Sequence, residues 1–191
     1  LLQIIAGALT PTTGEVYAAN PVVGLLELGS GFDLEASGRE NVYMNGAILG
    51  LSRRQIASLY DKIVSFADIG RFIDQPLKTY SSGMILRLAF AVAAHVAPRV
   101  LVVDELLAVG DSLFQAKCFR RIEQLQEEGV AILWATHDVG EVPARCDRAL
   151  LLEDGKAVMF GPAKSVTEEY YRRVRNLELN VREGASKEGL L

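Results

Sequence analysis

Cysteine is scarce in this 191-residue chain: Cys118 and Cys146 stand far apart, and neither belongs to a CxxC or CxxxH spacing. That implies no disulfide framework, argues against a zinc site and makes the cytoplasm the default compartment. A basic excess is also missing. Twenty Lys and Arg face 24 Asp and Glu, for a formal net charge of −4, which disfavours nucleic acid as a partner. No long apolar run is present either. The most apolar stretch, Met84 to Val103, is interrupted by Arg87, His95, Pro98 and Arg99, whereas a membrane-spanning helix needs roughly 18 apolar residues. The chain is therefore not expected to be a channel or permease itself. There is no internal repeat and no low-complexity segment. With half its residues hydrophobic and 23% charged, a disordered chain is excluded, and the length suits one domain with one core, plus at most a small appendage. The chain opens without Met, directly on the apolar, helix-like Leu1–Leu9. This predicts a natural N-terminus further upstream.

Along the chain, Leu1–Leu9 reads as the end of a helix closed by Thr10-Pro11-Thr12-Thr13-Gly14. Glu15–Ala18 and Val22–Leu26 read as short strands, and Gly29 to Gly38 as an irregular glycine-rich segment. A helical block is expected from about Glu40 to Val96. Its clearest helix starts at Ser52, with Gln55 in capping-box position and Ile56, Leu59, Tyr60, Ile63 and Val64 on one face. After Pro98 the pattern changes. Val100–Val103 is apolar without alternation, as in a strand buried on both faces of a parallel sheet. A helix over Leu113–Glu128 stopped by Gly129, then a second buried strand Val130–Ala135, continue the alternation of an α/β domain. Ala149–Glu153 and Ala157–Phe160 flank Asp154-Gly155-Lys156, a hairpin signal, and Pro162–Asn176 reads as one amphipathic helix. Residues 177–191 read as a linker or tail.

Three constellations could carry chemistry. Asp104 and Glu105 end the Val100–Val103 strand, and in an open α/β sheet ligands bind beyond the carboxyl ends of strands. One acid there can hold Mg²⁺ while the next orients or deprotonates a water; the same pair could equally be a solvated acidic turn. Ser81-Ser82-Gly83 precedes the apolar Met84–Ala97. A hydroxyl and small residues at a helix N-terminus make an anion site, although Ser is also an ordinary N-cap. Thr136-His137-Asp138 follows the Val130–Ala135 strand, where a His can reach a phosphate oxygen or a water; a lone loop His is more often without function.

Order and spacing join the three. The sequence resembles the nucleotide-binding subunit of ABC transporters over residues 1 to about 170. Tyr80-Ser81-Ser82-Gly83-Met84 stands where that family has its LSGGQ signature, and Arg87-Leu88-Ala89-Phe90-Ala91 where the signature helix continues. Val100–Glu105 resembles the Walker B strand with its glutamate, Ala108-Val109-Gly110-Asp111 the D-loop, His137 the switch histidine, and Pro11–Val16 the turn after the P-loop helix. YSSGM, LLELGSGF (Leu25–Phe32), GRENV (Gly38–Val42) and DELLAVGD (Asp104–Asp111) are similar to the ATPases that export O-antigen, capsular polysaccharide or teichoic acid precursors.

The resemblance implies a P-loop NTPase-like α/β fold: a mostly parallel sheet flanked by helices, with a helical subdomain inserted at about 40–97 of an ATPase domain spanning 1–176. It implies ATP and Mg²⁺ as ligands, Asp104 at the metal, and Glu105 and His137 as catalytic residues. Ser81, Ser82 and Gly83 would contact the γ-phosphate of ATP held by a second, head-to-tail copy of the subunit, and Asp111 would communicate across that dimer. An integral-membrane permease would be the other partner, docked near Gly29–Val42. The exported glycan would be handled indirectly, and the subunit would sit peripherally on the cytoplasmic face of the inner membrane. The sequence departs from the family twice. Glu27 stands near the place of the family's Gln, as a carboxylate able to touch metal or water. No G-x-x-x-x-G-K-[ST] occurs, since Gly155-Lys156 is followed by Ala157. The P-loop is therefore expected immediately before Leu1, and the chain alone is expected to hydrolyse no ATP. Rival readings are an ABC ATPase outside transport and a catalytically dead interaction subunit.

Overall fold

The computed structural model of the protein describes residues 1–25, 29, 31–96, 98–104 and 111–188, the last twelve as backbone only. The chain forms two compact units, Leu1–Ala135 and Thr136–Leu191.

The first unit is built on a parallel three-stranded sheet in the order β1 (Val22–Gly24), β2 (Val100–Val103), β3 (Ala131–Trp134). Val23 pairs with Leu101, and Leu101 in turn with Ile132. A parallel neighbour must be reached by a crossover. The β1–β2 crossover is the whole helical insert, α2 (Gly38–Ile48), α3 (Arg53–Ala67) and α4 (Ser82–His95), with two short 3₁₀ turns between α3 and α4. The β2–β3 crossover is α5 (Ser112–Glu127), ended at Gly129, whose φ of +87° suits glycine. β2 lies in the middle with Leu101, Val102 and Val103 fully buried, as its unbroken apolar run predicts. β3 corrects the expectation of a second strand buried on both faces. Ala131 is exposed and Ile132–Trp134 are only half-buried, because β3 pairs on one side only among the described strands.

Two further strand and helix expectations fail. Helix α1 covers only Leu2–Ile5 rather than Leu1–Leu9, and Glu15–Ala18 forms no strand. Both segments lack buried residues, and short apolar runs take regular structure only where packing stabilises it.

The insert begins at two reciprocal caps. Ser37 and Glu40 close a capping box at α2, and Ser52 with Gln55 does so at α3, where Gln55 Oε1 accepts from Ser52 N at 2.9 Å. Ile56, Ile63 and Ala67 line the buried face of α3. Asn41 is fully buried, yet satisfied: its Oδ1 accepts from Asp33 N at 2.8 Å, and its Nδ2 donates to Asp33 O at 2.8 Å and Ser37 O at 3.0 Å. One side chain thus organises the entrance to the helical insert.

Helix α4 explains the most apolar stretch of the sequence. Leu88 to Ala94 are all buried. Phe90, Ala93 and Ala94 pack with the sheet and α5, whereas Leu88, Ala91 and Val92 pack with α2 and α3 residues such as Val42, Ile56 and Ile63. A helix wedged between two cores is apolar all round, and burial of Phe90 alone contributes roughly 2 kcal/mol. Among the described residues no helix is long and apolar enough to cross a membrane.

The second unit contains the short α6 (Val142–Arg145), the antiparallel hairpin β4 (Arg148–Glu153) and β5 (Lys156–Pro162), and α7 (Ala163–Glu188). Asp154 and Gly155 both have positive φ, +49° and +76°, the geometry of a two-residue hairpin turn. Gly155-Lys156 is therefore a hairpin, as its sequence context predicts. α7 runs beyond the expected end at Asn176, to Glu188. Its Arg173 bonds Glu153 at 2.8 Å.

Candidate functional site

Tyr80, the first residue of the signature-like segment, is a structural plug. It is 8% exposed, donates its hydroxyl to Phe72 O at 2.5 Å and meets the Phe72 ring edge-on. Burial pushes its pKa up to about 12, so the hydroxyl stays protonated. The space for that hydroxyl comes from Gly38, where an added Cβ would lie 2.2 Å from it.

Directly after this plug, Ser81 caps α4 by accepting from Met84 N at 3.2 Å. Ser82 and Gly83 are the first helical residues, and N–H groups at such positions have no partner inside a helix. They point, with the positive end of the helix dipole, out of the end of a 14-residue helix. Ser81 and Ser82 are exposed. Gly83 has no positive φ, and an added Cβ would meet nothing nearer than Ser81 Oγ at 3.9 Å. Among the described residues nothing in the packing demands glycine there. Small residues and free N–H groups facing open space suit a phosphate approached from outside the chain.

Asp111 lies against the same helix. Its Oδ1 caps α5 by accepting from Phe114 N at 2.9 Å, and its Oδ2 accepts from Arg87 Nη2. The Phe114 amide first and the Arg87 guanidinium second hold its carboxyl below the usual carboxylate range. Arg87 also reaches Asp68 O at 3.4 Å and lies over the Phe114 ring at 4.9 Å. The sequence marks Arg87 as an interruption of an apolar run and as the first residue of the signature-helix continuation, and assigns it no partner. An arginine inside such a run needs a partner when half-buried, and that was the signal available.

Asp104 stands half-buried just past the C-terminal end of β2, at the edge where open α/β sheets bind ligands. Among the described residues no cluster of three or more His, Cys, Asp or Glu could form an all-protein metal cage. A single strand-end carboxylate fits Mg²⁺, which keeps several waters and is shared with substrate phosphates. Glu105, Glu27 and residues 108–110 of the D-loop-like segment lie outside the described residues. His137 belongs to the second unit, where it is exposed and follows Thr136, whose Oγ1 accepts from Asp138 N at 2.9 Å. The first unit thus brings together Ser81, Ser82, Gly83, Arg87 and Asp111 around the start of α4.

No family model matches the chain. It is 52% identical over 172 residues to the ABC transporter protein AbcA of Aeromonas salmonicida, covering 90% of this chain and 56% of that protein. It is 41% identical over 169 residues to the O-antigen export system ATP-binding protein RfbB of Klebsiella pneumoniae, covering 88% of this chain and 69% of that one. To the teichoic acids export ATP-binding protein TagH of Bacillus anthracis it is 36% identical, over 89% of this chain and 31% of that protein. The chain therefore spans between about a third and about two thirds of these relatives. Among solved structures, an ATP-binding subunit of an ABC transporter superposes over 95% of this chain and 81% of its own, with a TM-score of 0.76 at 18% identity, a likeness of fold. The cbiO1 protein of Clostridium perfringens, part of the ABC transporter complex cbiONQ, does so over 98% of this chain with a TM-score of 0.63 at 25% identity. Sequence identity across most of an export ATP-binding protein, on the fold those subunits share, leaves one conclusion: the chain belongs to the ATP-binding subunits of ABC transporters, beside those of O-antigen and teichoic acid exporters.

Proposed function

We propose that the whole protein hydrolyses ATP to power export of a lipid-linked polysaccharide across the bacterial cytoplasmic membrane. The observation that carries this reading is the 41% identity, over 69% of its length, to an O-antigen export ATP-binding protein. The same reading places the protein peripherally on the inner face of the membrane, as a head-to-tail dimer docked on a separate permease. Residues 29–42 and α2 form the docking side.

In this reading Ser81, Ser82 and Gly83 offer hydroxyl and N–H donors to the γ-phosphate of ATP held by the partner subunit. Glu105 accepts a proton from the water that attacks the γ-phosphorus as the bond to the ADP oxygen breaks. His137 orients the γ-phosphate oxygens, and Asp104 holds the Mg²⁺ shell. Mg²⁺, when bound, neutralises charge on the phosphate oxygens, the main demand of phosphoryl transfer. Glu27, near the place of the family's Gln, would offer a carboxylate to the metal or to a water. No residue here replaces the P-loop Lys and amides, so the reading assigns them to the part of the protein preceding Leu1. Splitting donors between two subunits makes hydrolysis wait for dimer closure.

The test is Glu105→Gln in the whole protein. ATP binding is expected to persist while turnover falls at least about 100-fold, the scale of a lost general base. Unchanged steady-state hydrolysis would overturn the assignment. Loss of surface glycan on deletion, restored by the wild type, tests the cargo class.

A further inference from the structure

Resting on the ATPase reading above, we propose that Arg87 is a positioning residue that latches the signature turn to Asp111, so that the two segments offered to the partner subunit move as one piece. Arg87 sits six residues after Ser81 on α4, hence about 9 Å along the same helix axis. Sharp bends in a helix arise at Pro, at Gly/Ser pairs or at bulges; α4 contains no proline, and its one Ser-Gly pair, Ser82-Gly83, lies in the first turn, closed by the Ser81 cap on Met84 N. Wherever the Arg87 guanidinium is held, Ser81–Gly83 is held too.

The guanidinium is held by three groups from two elements. It donates to the Asp111 carboxylate at the start of α5 and to the Asp68 carbonyl beyond α3, and it lies over the Phe114 ring in the first turn of α5. Its side chain is only 22% exposed, so these partners replace most of its water. Asp111 responds in kind. One carboxylate oxygen is taken by the Phe114 amide and the other by Arg87, which fixes the plane of the group. The far end of α4 is tied separately, by Arg121 Nε donating to Ala94 O at 3.1 Å. Arg121 touches neither Asp111 nor the signature turn, and so it serves as a control for plain stability.

Loss of Arg87 leaves the Asp111–Phe114 cap and the packing of Phe90 and Ala94 on α5 in place, so both helices are retained while the tie between the start of α5 and the first turns of α4 is cut. The experiment uses the whole protein with its permease and compares Arg87→Ala, Arg87→Lys and Arg121→Ala. Arg87→Ala is expected to lower kcat at least tenfold while KM for ATP stays within about twofold. Arg87→Lys, which keeps one charged bond but not the fork and the ring contact, should recover part of that loss. Arg121→Ala should lower Tm yet leave kcat within twofold. Hydrogen exchange on the same samples supplies a readout independent of turnover: Arg87→Ala should raise exchange at the bonded amides of Met84 and Ile85 and of Phe114 and Gln115 together, with α2 unchanged. Normal kcat in Arg87→Ala, or faster exchange at Phe114 and Gln115 alone, overturns the latch. So does a kcat that falls with Tm in both Arg87→Ala and Arg121→Ala. Wild-type protein without ATPase activity would instead overturn the ATPase reading, and the exchange pattern would still decide the latch.

Discussion

Gly83 separates the demands of folding from those of function at a single residue. Its backbone is ordinary helix and its missing side chain faces open space, so Gly83→Ala meets no clash and gains helix propensity. By intrinsic propensity the variant should be as stable as the wild type or more stable, by up to about 1 kcal/mol. Yet the added methyl occupies the space through which a partner's phosphate must approach. In the whole protein we expect unchanged or higher Tm together with ATP turnover reduced at least tenfold. A variant with wild-type turnover would show that nothing outside the chain uses that space. Gly38 is the opposite case: its space is filled from inside, by the Tyr80 hydroxyl. Two glycines that look alike in the sequence are thus needed for different reasons, and only the contacts around each reveal which.

The helical insert is held together by such exchanges between elements. Tyr80, ahead of α4, is seated in the room left by Gly38 at the start of α2, against Phe72 in the turn that follows α3. A Cβ at position 38 would also approach Ile73 O at 3.0 Å. Gly38→Ala is expected to destabilise the protein by about 3 kcal/mol, combining overpacking with a broken buried hydrogen bond. Because the clash is chiefly with one hydroxyl, adding Tyr80→Phe should restore part of the loss, so the double variant unfolds at higher denaturant than Gly38→Ala alone. Simple additivity of the two substitutions in urea melts would show that the methyl is opposed by backbone instead. The elements themselves were largely legible beforehand. Capping residues and 3.6-residue periodicity placed α3 at Ser52, and the Asp-Gly turn placed the β4–β5 hairpin. The failures, Leu1–Leu9 and Glu15–Ala18, are segments whose apolar residues find little to pack against, which local pattern does not register.

For the molecule as a whole, the described sheet is open at β3, whose apolar residues are half-exposed, and the chain spans only part of the relatives it matches. The donors that would cradle a bound nucleotide's own phosphates are not spelled anywhere in the 191 residues. Residues 1–191 alone are therefore expected to show no Mg-ATP turnover, checked by phosphate release from a pure sample. Joining to Leu1 a segment from a relative that carries G-x-x-x-x-G-K-[ST] should confer hydrolysis. Turnover by the 191 residues alone would remove the reason for assigning a P-loop upstream.

The sequence by itself determined the α/β class, the strand-end acid Asp104, the serine-capped start of α4 and the family, because each rests on residue types at short, ordered spacings. Tertiary structure decided what spacing cannot carry. Arg87 and Asp111 are 24 residues apart, Gly38 and Tyr80 are 42, and each pair meets only because α2, α4 and α5 fold onto shared cores. Burial likewise turned an apolar run into a helix wedged between two cores and a strand expected to be buried into the half-exposed edge of the described sheet. The free energy of a side chain depends on what surrounds it, and most of its surroundings come from distant parts of the chain.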